Sequence, residues 1–125
     1  MMLRNVLLIG IAGGFGTVAR FLCQKYLYAW FPHPFPFGTF VVNLLGCFLI
    51  GLIYGLSERG NLLSPEWRLV LATGFCGGYT TFSTFAYENI QLLRQGDYLY
   101  FFLYTLGSVC LGIIFTFLGM AILKA

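Results

Sequence analysis

The residues that point to chemistry are concentrated in one stretch, Gly74-Phe-Cys-Gly-Gly-Tyr-Thr-Thr-Phe-Ser-Thr-Phe85. Three glycines and four serine or threonine hydroxyls in these twelve residues favour a broken helix. A half-helix that ends inside a membrane leaves carbonyls free, and such carbonyls coordinate small cations such as sodium. We therefore predict a break across residues 77–80, with the Gly77 and Thr80 carbonyls as cation ligands. The alternative is a glycine kink that only lets helices approach.

Two phenylalanines follow the predicted break. Phe82 and Phe85 stand three residues apart and so share one face of a helix. Aromatic rings have electropositive edges, and such edges replace part of an anion's water shell without a full positive charge that would trap the ion. The alternative is ordinary packing of the two rings. Hydroxyl donors beside the rings are Thr81, Ser83 and Thr84.

Polar residues in two other apolar runs complete the candidate pathway. Asn43, one helical turn after Thr39, is the only side-chain amide well inside an uncharged run, and polar residues within a membrane are functional candidates. Later in the chain, small or polar side chains recur every four residues and form a stripe on one helix face. This stripe either lines the pathway with Asn43 or joins helices, the role predicted for Gly10-x-x-x-Gly14 and Gly51-x-x-x-Gly55. Its members are Tyr104, Ser108, Gly112 and Thr116.

The elements that position these residues must suit a lipid bilayer. Of the 125 residues, 59% are hydrophobic and 9% are charged, whereas soluble domains carry roughly 25% charged residues. This composition excludes a disordered chain, a nucleic-acid binder based on a basic patch, and an enzyme that needs a separate soluble domain. Because a spanning helix needs about 20 apolar residues, the sequence predicts an all-α membrane protein. We expect four transmembrane helices, the third of them broken, in one domain over residues 1–125.

Charged residues mark the ends of the four predicted helices. A secretory signal peptide ending at Thr17-Val18-Ala19 is an alternative for the first run, but its cleavage would discard a glycine-rich segment suited to helix packing. One cysteine falls in each span, without a C-x-x-C pair, and we expect packing rather than a metal or disulfide role for Cys23, Cys47, Cys76 and Cys110. The predicted spans are Val6 to Ala19 with a continuation to Lys25, Phe37 to Ser57, Leu69 to Tyr87, and Tyr98 to Leu123.

The distribution of basic residues does not determine one orientation of the chain in the membrane. Lys and Arg normally accumulate in cytoplasmic loops. Here Arg4, Arg59, Arg68 and Lys124 lie on the side of the two termini, and Arg20, Lys25 and Arg94 lie on the other. A four-to-three distribution predicts insertion in both directions and an antiparallel homodimer, in which the broken helices of two copies face one cation. The alternative is a chain oriented by a partner or by weaker signals.

Three motifs of the sequence match a known family. They are Gly13-Gly-Phe-Gly-Thr-Val-Ala-Arg20, Gly38-Thr-Phe-Val-Val-Asn-Leu-Leu-Gly46 and the stretch from Gly74 to Phe85. With them the chain resembles the CrcB, or Fluc, family of bacterial fluoride channels along nearly its whole length. The resemblance implies a dual-topology antiparallel homodimer of the bacterial inner membrane, with a structural sodium ion at its interface and no enzymatic activity. Such a channel exports fluoride passively and gives fluoride resistance.

The resemblance also implies roles for individual residues. Phe82 and Phe85 match the rings that meet fluoride, and Asn43 matches a pore amide. Relatives often carry a hydroxyl at the position of Gly112 and a serine at that of Ala86. In this chain the polar track is therefore expected to run through Thr116 or water instead. The remaining matches are the sodium carbonyls of Gly77 and Thr80, the pore residues Tyr104 and Ser108, the vestibule residue Arg20, and a polar track of Ser83, Thr84 and Glu88.

Two other functions fit a four-span chain of this size. A small multidrug transporter needs a carboxylate inside its first helix, and the first run here contains neither Asp nor Glu. A non-transporting membrane scaffold would account for the glycine motifs, but it would not explain hydroxyls and a helix break at the same depth. Fluoride flux into vesicles separates the three functions.

Overall fold

All regular elements of the described residues are helices. The computed structural model describes residues 1–59 and 62–123, so Lys124, counted above among the basic residues, lies outside them. The elements are α1 (Met2–Trp30), α2 (Phe37–Glu58), α3 (Pro65–Leu69), a π-helix (Val70–Cys76), α4 (Gly77–Tyr79), α5 (Phe82–Arg94) and α6 (Tyr98–Ile122).

Three of these helices are long and apolar enough to cross a membrane. They are α1, α2 and α6, with 29, 22 and 25 residues, against the roughly 20 residues that a bilayer requires. The predicted all-α membrane fold is confirmed to this extent. The first helix is longer than predicted, because it begins at Met2 and continues beyond Lys25 to Trp30. Arg20 and Lys25 lie within this helix, as the predicted continuation to Lys25 indicated.

Residues 65–94, which we call the broken helix, form two helical parts around a short extended segment. The chain is helical from Pro65 to Tyr79. It is extended at Thr80 (φ −87°, ψ 161°) and Thr81 (φ −149°, ψ 121°) and helical again from Phe82. The predicted break is confirmed at Thr80, the last residue of the predicted range, and it extends to Thr81. Gly77 remains helical (φ −61°, ψ −36°), so the break comes at the threonines rather than at the glycines.

Local signals explain where the parts of the broken helix begin and end. Ser64 caps α3 by accepting a hydrogen bond from Trp67 N at 3.2 Å, and Pro65 occupies the first helical position. Thr81 caps α5 in the same way, through Thr84 N at 3.3 Å. Gly96 ends that helix with φ 77°, a conformation that glycine adopts without a steric penalty.

Glycines allow two pairs of helices to approach closely. A Cβ at Gly78 would overlap the Gly13 carbonyl oxygen of α1, and a Cβ at Gly51 would overlap the Thr116 carbonyl oxygen of α6. At Gly55 it would come within 3.3 Å of Met120 Cα, so the packing role predicted for Gly51-x-x-x-Gly55 is confirmed. Gly10 and Gly14 differ, because a Cβ at either would meet nothing within 4 Å. No described helix of the same chain therefore packs against them, and the packing role predicted for Gly10-x-x-x-Gly14 stays a prediction.

An aromatic core anchors the α1–α2 loop to α6. Phe35 packs edge-on against Tyr104 (ring centroids 5.5 Å apart, 77° between planes) and against Phe40 (5.4 Å, 80°). Tyr104 is completely buried, and Leu92 of α5 joins the cluster. Away from this core much of the apolar surface is open: within α1 only Gly16 is buried.

Candidate functional site

Asn43 of α2 holds the break in the broken helix. Its Nδ2 donates to Thr81 O at 3.0 Å, and its Oδ1 accepts from Thr81 N at 2.9 Å. One side chain thus satisfies both backbone groups of a residue that lies outside any helix. Because a side-chain amide carries two N–H donors, one N–H of Asn43 is not used in this pair of bonds.

The bond from Thr81 to Asn43 leaves a backbone carbonyl without its helical donor. In a continuous α-helix, Thr81 N would donate to Gly77 O. Here it donates to Asn43, and the hydrogen bonds of the described residues provide no other donor for Gly77 O. The next carbonyl, Gly78 O, accepts from Arg20 Nε at 3.1 Å. The first part of the broken helix therefore ends with one carbonyl bonded to an arginine and one without a donor.

A cavity of about 390 Å³, the central cavity, lies beside this helix end. The Phe82 and Phe85 rings line it, with centroids 5.8 Å apart. Ser108 of α6 also lines it, and its buried Oγ has no hydrogen-bond partner. Phe82 is 78% exposed, so the cavity opens on the outside of the single chain. The other predicted site residues on its wall are Asn43, Gly77 and Thr80.

A second cavity of about 670 Å³, the polar cavity, is lined by three of the remaining predicted residues. Its wall includes Thr39, Thr84 and Glu88. Glu88 Oε1 accepts a hydrogen bond from the Tyr104 hydroxyl at 3.0 Å. Thr39 Oγ1 accepts from Gln24 Nε2 at 3.1 Å. The polar cavity thus combines hydroxyl donors with one carboxylate that is already hydrogen-bonded.

Four predicted site residues line neither cavity: Arg20, Tyr104, Ser83 and Thr116. Arg20 and Tyr104 are hydrogen-bonded to cavity residues, Arg20 to Gln24 and Tyr104 to Glu88. Ser83 is exposed and is not among the lining residues. Thr116 Oγ1 donates to Gly112 O of its own helix at 3.0 Å, and Thr116 is likewise outside both walls. The stripe on α6 is therefore divided: Tyr104 and Ser108 face the site, whereas Gly112 and Thr116 contact α2. Here the helix-packing alternative holds for the second half of the stripe.

Three residues near the site, Gln24, Lys25 and His33, were not predicted as site residues. All three line the polar cavity, with His33 at an exposed position in the loop. The signal for Gln24 was its spacing, because it follows Arg20 by four residues and so lies on the same helix face. Arg20 Nη1 donates to Gln24 Oε1 at 3.5 Å. The four cysteines are free thiols.

Comparison with known proteins identifies relatives over nearly the whole chain. Residues 7–120 match the model of the family described as CrcB-like protein, Camphor Resistance (CrcB). A protein of Chlorobium phaeobacteroides is 52% identical over 119 residues, which cover 95% of this chain and 92% of the relative. A protein of Chlorobaculum tepidum is 50% identical over 99% of this chain and 98% of the relative, and one of Leptospira interrogans is 45% identical over 97% and 95%.

Each of these three relatives carries the name fluoride-specific ion channel FluC. The identity and coverage far exceed what a shared fold alone would require. The matched region also contains both cavities and the whole broken helix. The chain therefore belongs to the CrcB family, a family of membrane ion channels and not of enzymes.

Proposed function

We propose that the protein is a fluoride-selective channel that lets cytoplasmic fluoride leave passively, down its electrochemical gradient, and so confers fluoride resistance. One observation carries the proposal. The central cavity lies at the break in the broken helix. Its wall contains the Phe82 and Phe85 rings, the Ser108 hydroxyl without a hydrogen-bond partner, and the Asn43 amide, which has one N–H not used in its bond to Thr81. Relatives that match almost the full chain are named for fluoride.

This set of donors suits a small, strongly hydrated anion. Removing water from an ion is costly unless other groups replace its hydrogen bonds, and conduction also requires that the ion can leave again. Ring edges, a hydroxyl and an amide replace water without a formal positive charge. The basic residues Arg20 and Lys25 lie toward the polar cavity, where they attract anions without binding them at the rings. The negative-inside potential then drives export without a nucleotide.

The shape of the single chain favours an antiparallel homodimer in the inner membrane. Phe82 and the central cavity are open on one side, although broken backbone at membrane depth is tolerated only where protein or water covers it. We propose that an inverted second copy covers this side. The broken helix then supplies the fourth crossing, and the whole chain acts as one channel domain. Insertion in both directions agrees with the nearly even distribution of basic residues.

A structural sodium ion fits the ends of the broken helices. Gly77 O lacks a donor among the described hydrogen bonds, and Thr80 leaves the helix in an extended conformation. Backbone carbonyls at half-helix ends are sodium ligands in other membrane proteins. Two copies would contribute two Gly77 and two Thr80 carbonyls. When bound there, the ion would neutralise the negative helix ends and hold the copies together.

Fluoride flux from liposomes tests the channel function. Liposomes that contain the purified protein are expected to release fluoride far faster than they release chloride. A potassium ionophore is added so that potassium efflux balances the charge of the anion that leaves. Phe82→Ile is expected to abolish fluoride release while the protein still elutes as a dimer. Phe102→Ile is the matched control, because Phe102 is 58% exposed on α6 and lines neither cavity. Equal rates for chloride and fluoride would refute the selectivity.

Two further measurements test the assembly. Reporter domains on the carboxyl terminus are expected on both sides of the membrane, and detection on one side alone would contradict the antiparallel arrangement. Replacing sodium by N-methylglucamine is expected to lower both fluoride flux and the thermal stability of the dimer. Unchanged values in sodium-free buffer would contradict a structural sodium ion.

A further inference from the structure

Gln24 connects two residues of the candidate pathway that lie on different helices. Its Oε1 accepts from Arg20 Nη1 at 3.5 Å, and its Nε2 donates to Thr39 Oγ1 of α2 at 3.1 Å. Arg20 in turn donates to Gly78 O at the end of α4. Gln24 is therefore the middle member of a chain of hydrogen bonds that joins α1, α2 and the broken helix.

The bond from Gln24 determines where the Thr39 proton can point. Thr39 is 2% exposed, so bulk water does not compete for its hydroxyl. Because its oxygen accepts from Gln24, its own proton must point away from that amide. On the wall of the same cavity lies the Glu88 carboxylate, which already accepts from the Tyr104 hydroxyl at 3.0 Å. A second hydroxyl donor at this carboxylate would reduce its repulsion of a passing anion.

We propose that Gln24 is a positioning residue of the anion pathway: its side-chain amide orients the Thr39 hydroxyl so that the proton faces the polar cavity and Glu88. The proposal rests on the channel function proposed above. Gln24 is not required to touch the ion, because it acts through Thr39. If Gln24 is lost, the Thr39 proton can turn toward the vacated space, and Glu88 keeps a single hydroxyl donor.

Coupling between Gln24 and Thr39 tests this role. Gln24→Met keeps the length of the side chain and removes its amide, and it is expected to lower fluoride flux by about tenfold, the scale of one lost hydrogen bond. Thr39→Val removes the hydroxyl, and in that background Gln24→Met is expected to have no further effect. In a Thr105→Val background Gln24→Met is expected to keep its full effect, because Thr105 donates to Asn89, outside this chain of bonds.

Gln24→Asn provides a second variant that preserves polarity and is less disruptive to folding. Its amide is one methylene shorter and no longer reaches Thr39, so the same tenfold loss is expected, again absent with Thr39→Val. Dimer elution accompanies each flux measurement. The proposal would be overturned if Gln24→Asn kept the wild-type fluoride flux. It would also be overturned if a Gln24 substitution lowered the flux of Thr39→Val by the same factor as it lowers the flux of the wild type. An inactive wild-type protein would instead overturn the channel function, and this inference with it.

Discussion

Replacement of Asn43 by leucine tests whether this residue holds the broken helix open. Leucine has a similar shape but no polar atoms, so Asn43→Leu removes the bonds at 3.0 Å and 2.9 Å to the Thr81 backbone. Both Thr81 groups then lose their partner at a part-buried site. The protein should remain inserted, since leucine suits a membrane helix, but the conformation at Thr80 and Thr81 should lose stability.

The structure sets the expected size of the effect. Membrane hydrogen bonds average about 0.6 kcal/mol in mutational cycles, so two bonds give a lower limit of about 1 kcal/mol. An unpaired buried polar group costs about 1–3 kcal/mol, so two groups give an upper limit of about 6 kcal/mol. Thr81 N has Gly77 O as a possible new acceptor if the helix closes, which lowers the cost. We therefore expect a loss of about 2 kcal/mol.

Reversible unfolding in mixed micelles, followed by fluorescence of Trp30 and Trp67, measures this loss. Gln91→Leu is the control, because its amide bonds the exposed hydroxyl of Tyr87. That variant is expected to change the free energy of unfolding by less than about 0.5 kcal/mol. If Asn43→Leu is as stable as Gln91→Leu, Asn43 does not hold the break, and the assignment of the two bonds as its support is refuted.

Three further substitutions have defined outcomes. Gly51→Ala places a Cβ on the Thr116 carbonyl oxygen and should lower the free energy of unfolding by about 1–3 kcal/mol. Gly14→Ala should not lower it, because a Cβ at Gly14 meets nothing within 4 Å. Equal midpoints of the two variants in thermal unfolding would contradict this packing. Ser108→Ala removes a hydroxyl without a hydrogen-bond partner. The free energy of unfolding should therefore stay the same, whereas fluoride flux should fall. A lower free energy of unfolding would contradict the absence of a partner for this hydroxyl. Thr81→Val removes the cap of α5 and should cost about 1 kcal/mol, measured by the same unfolding assay; no loss would argue against the cap.

The helices and the position of the site were predictable from local patterns. Uncharged runs of bilayer length predicted α2 and α6 within one residue of their ends, because charges cannot be placed in hydrocarbon at low cost. The break was predicted from glycines and hydroxyls in one apolar run. The extension of α1 past Lys25 was not predictable in this way, since long basic side chains can reach the interface from a helix.

The place of the break depends on a partner that is distant in sequence. Gly77 and Gly78 lie in the predicted break, yet both are helical, and Gly78 packs against α1. The break is fixed by Asn43, 38 residues away in the sequence, because its side chain forms hydrogen bonds with the Thr81 backbone N–H and carbonyl. No local propensity contains that information, because it arises only when α2 packs against the broken helix.

By itself, the sequence determined that this chain is helical, that it belongs in a bilayer, and which short stretch is irregular, because hydropathy, helix length and glycine content are local properties. Tertiary structure decided which polar groups remain available. It assigned one carbonyl of the break to Arg20, left another without a donor, and kept the Ser108 hydroxyl unpartnered while Thr116 bonded its own helix. A hydrogen bond depends on distances of a few tenths of an ångström between helices, and those distances exist only after packing.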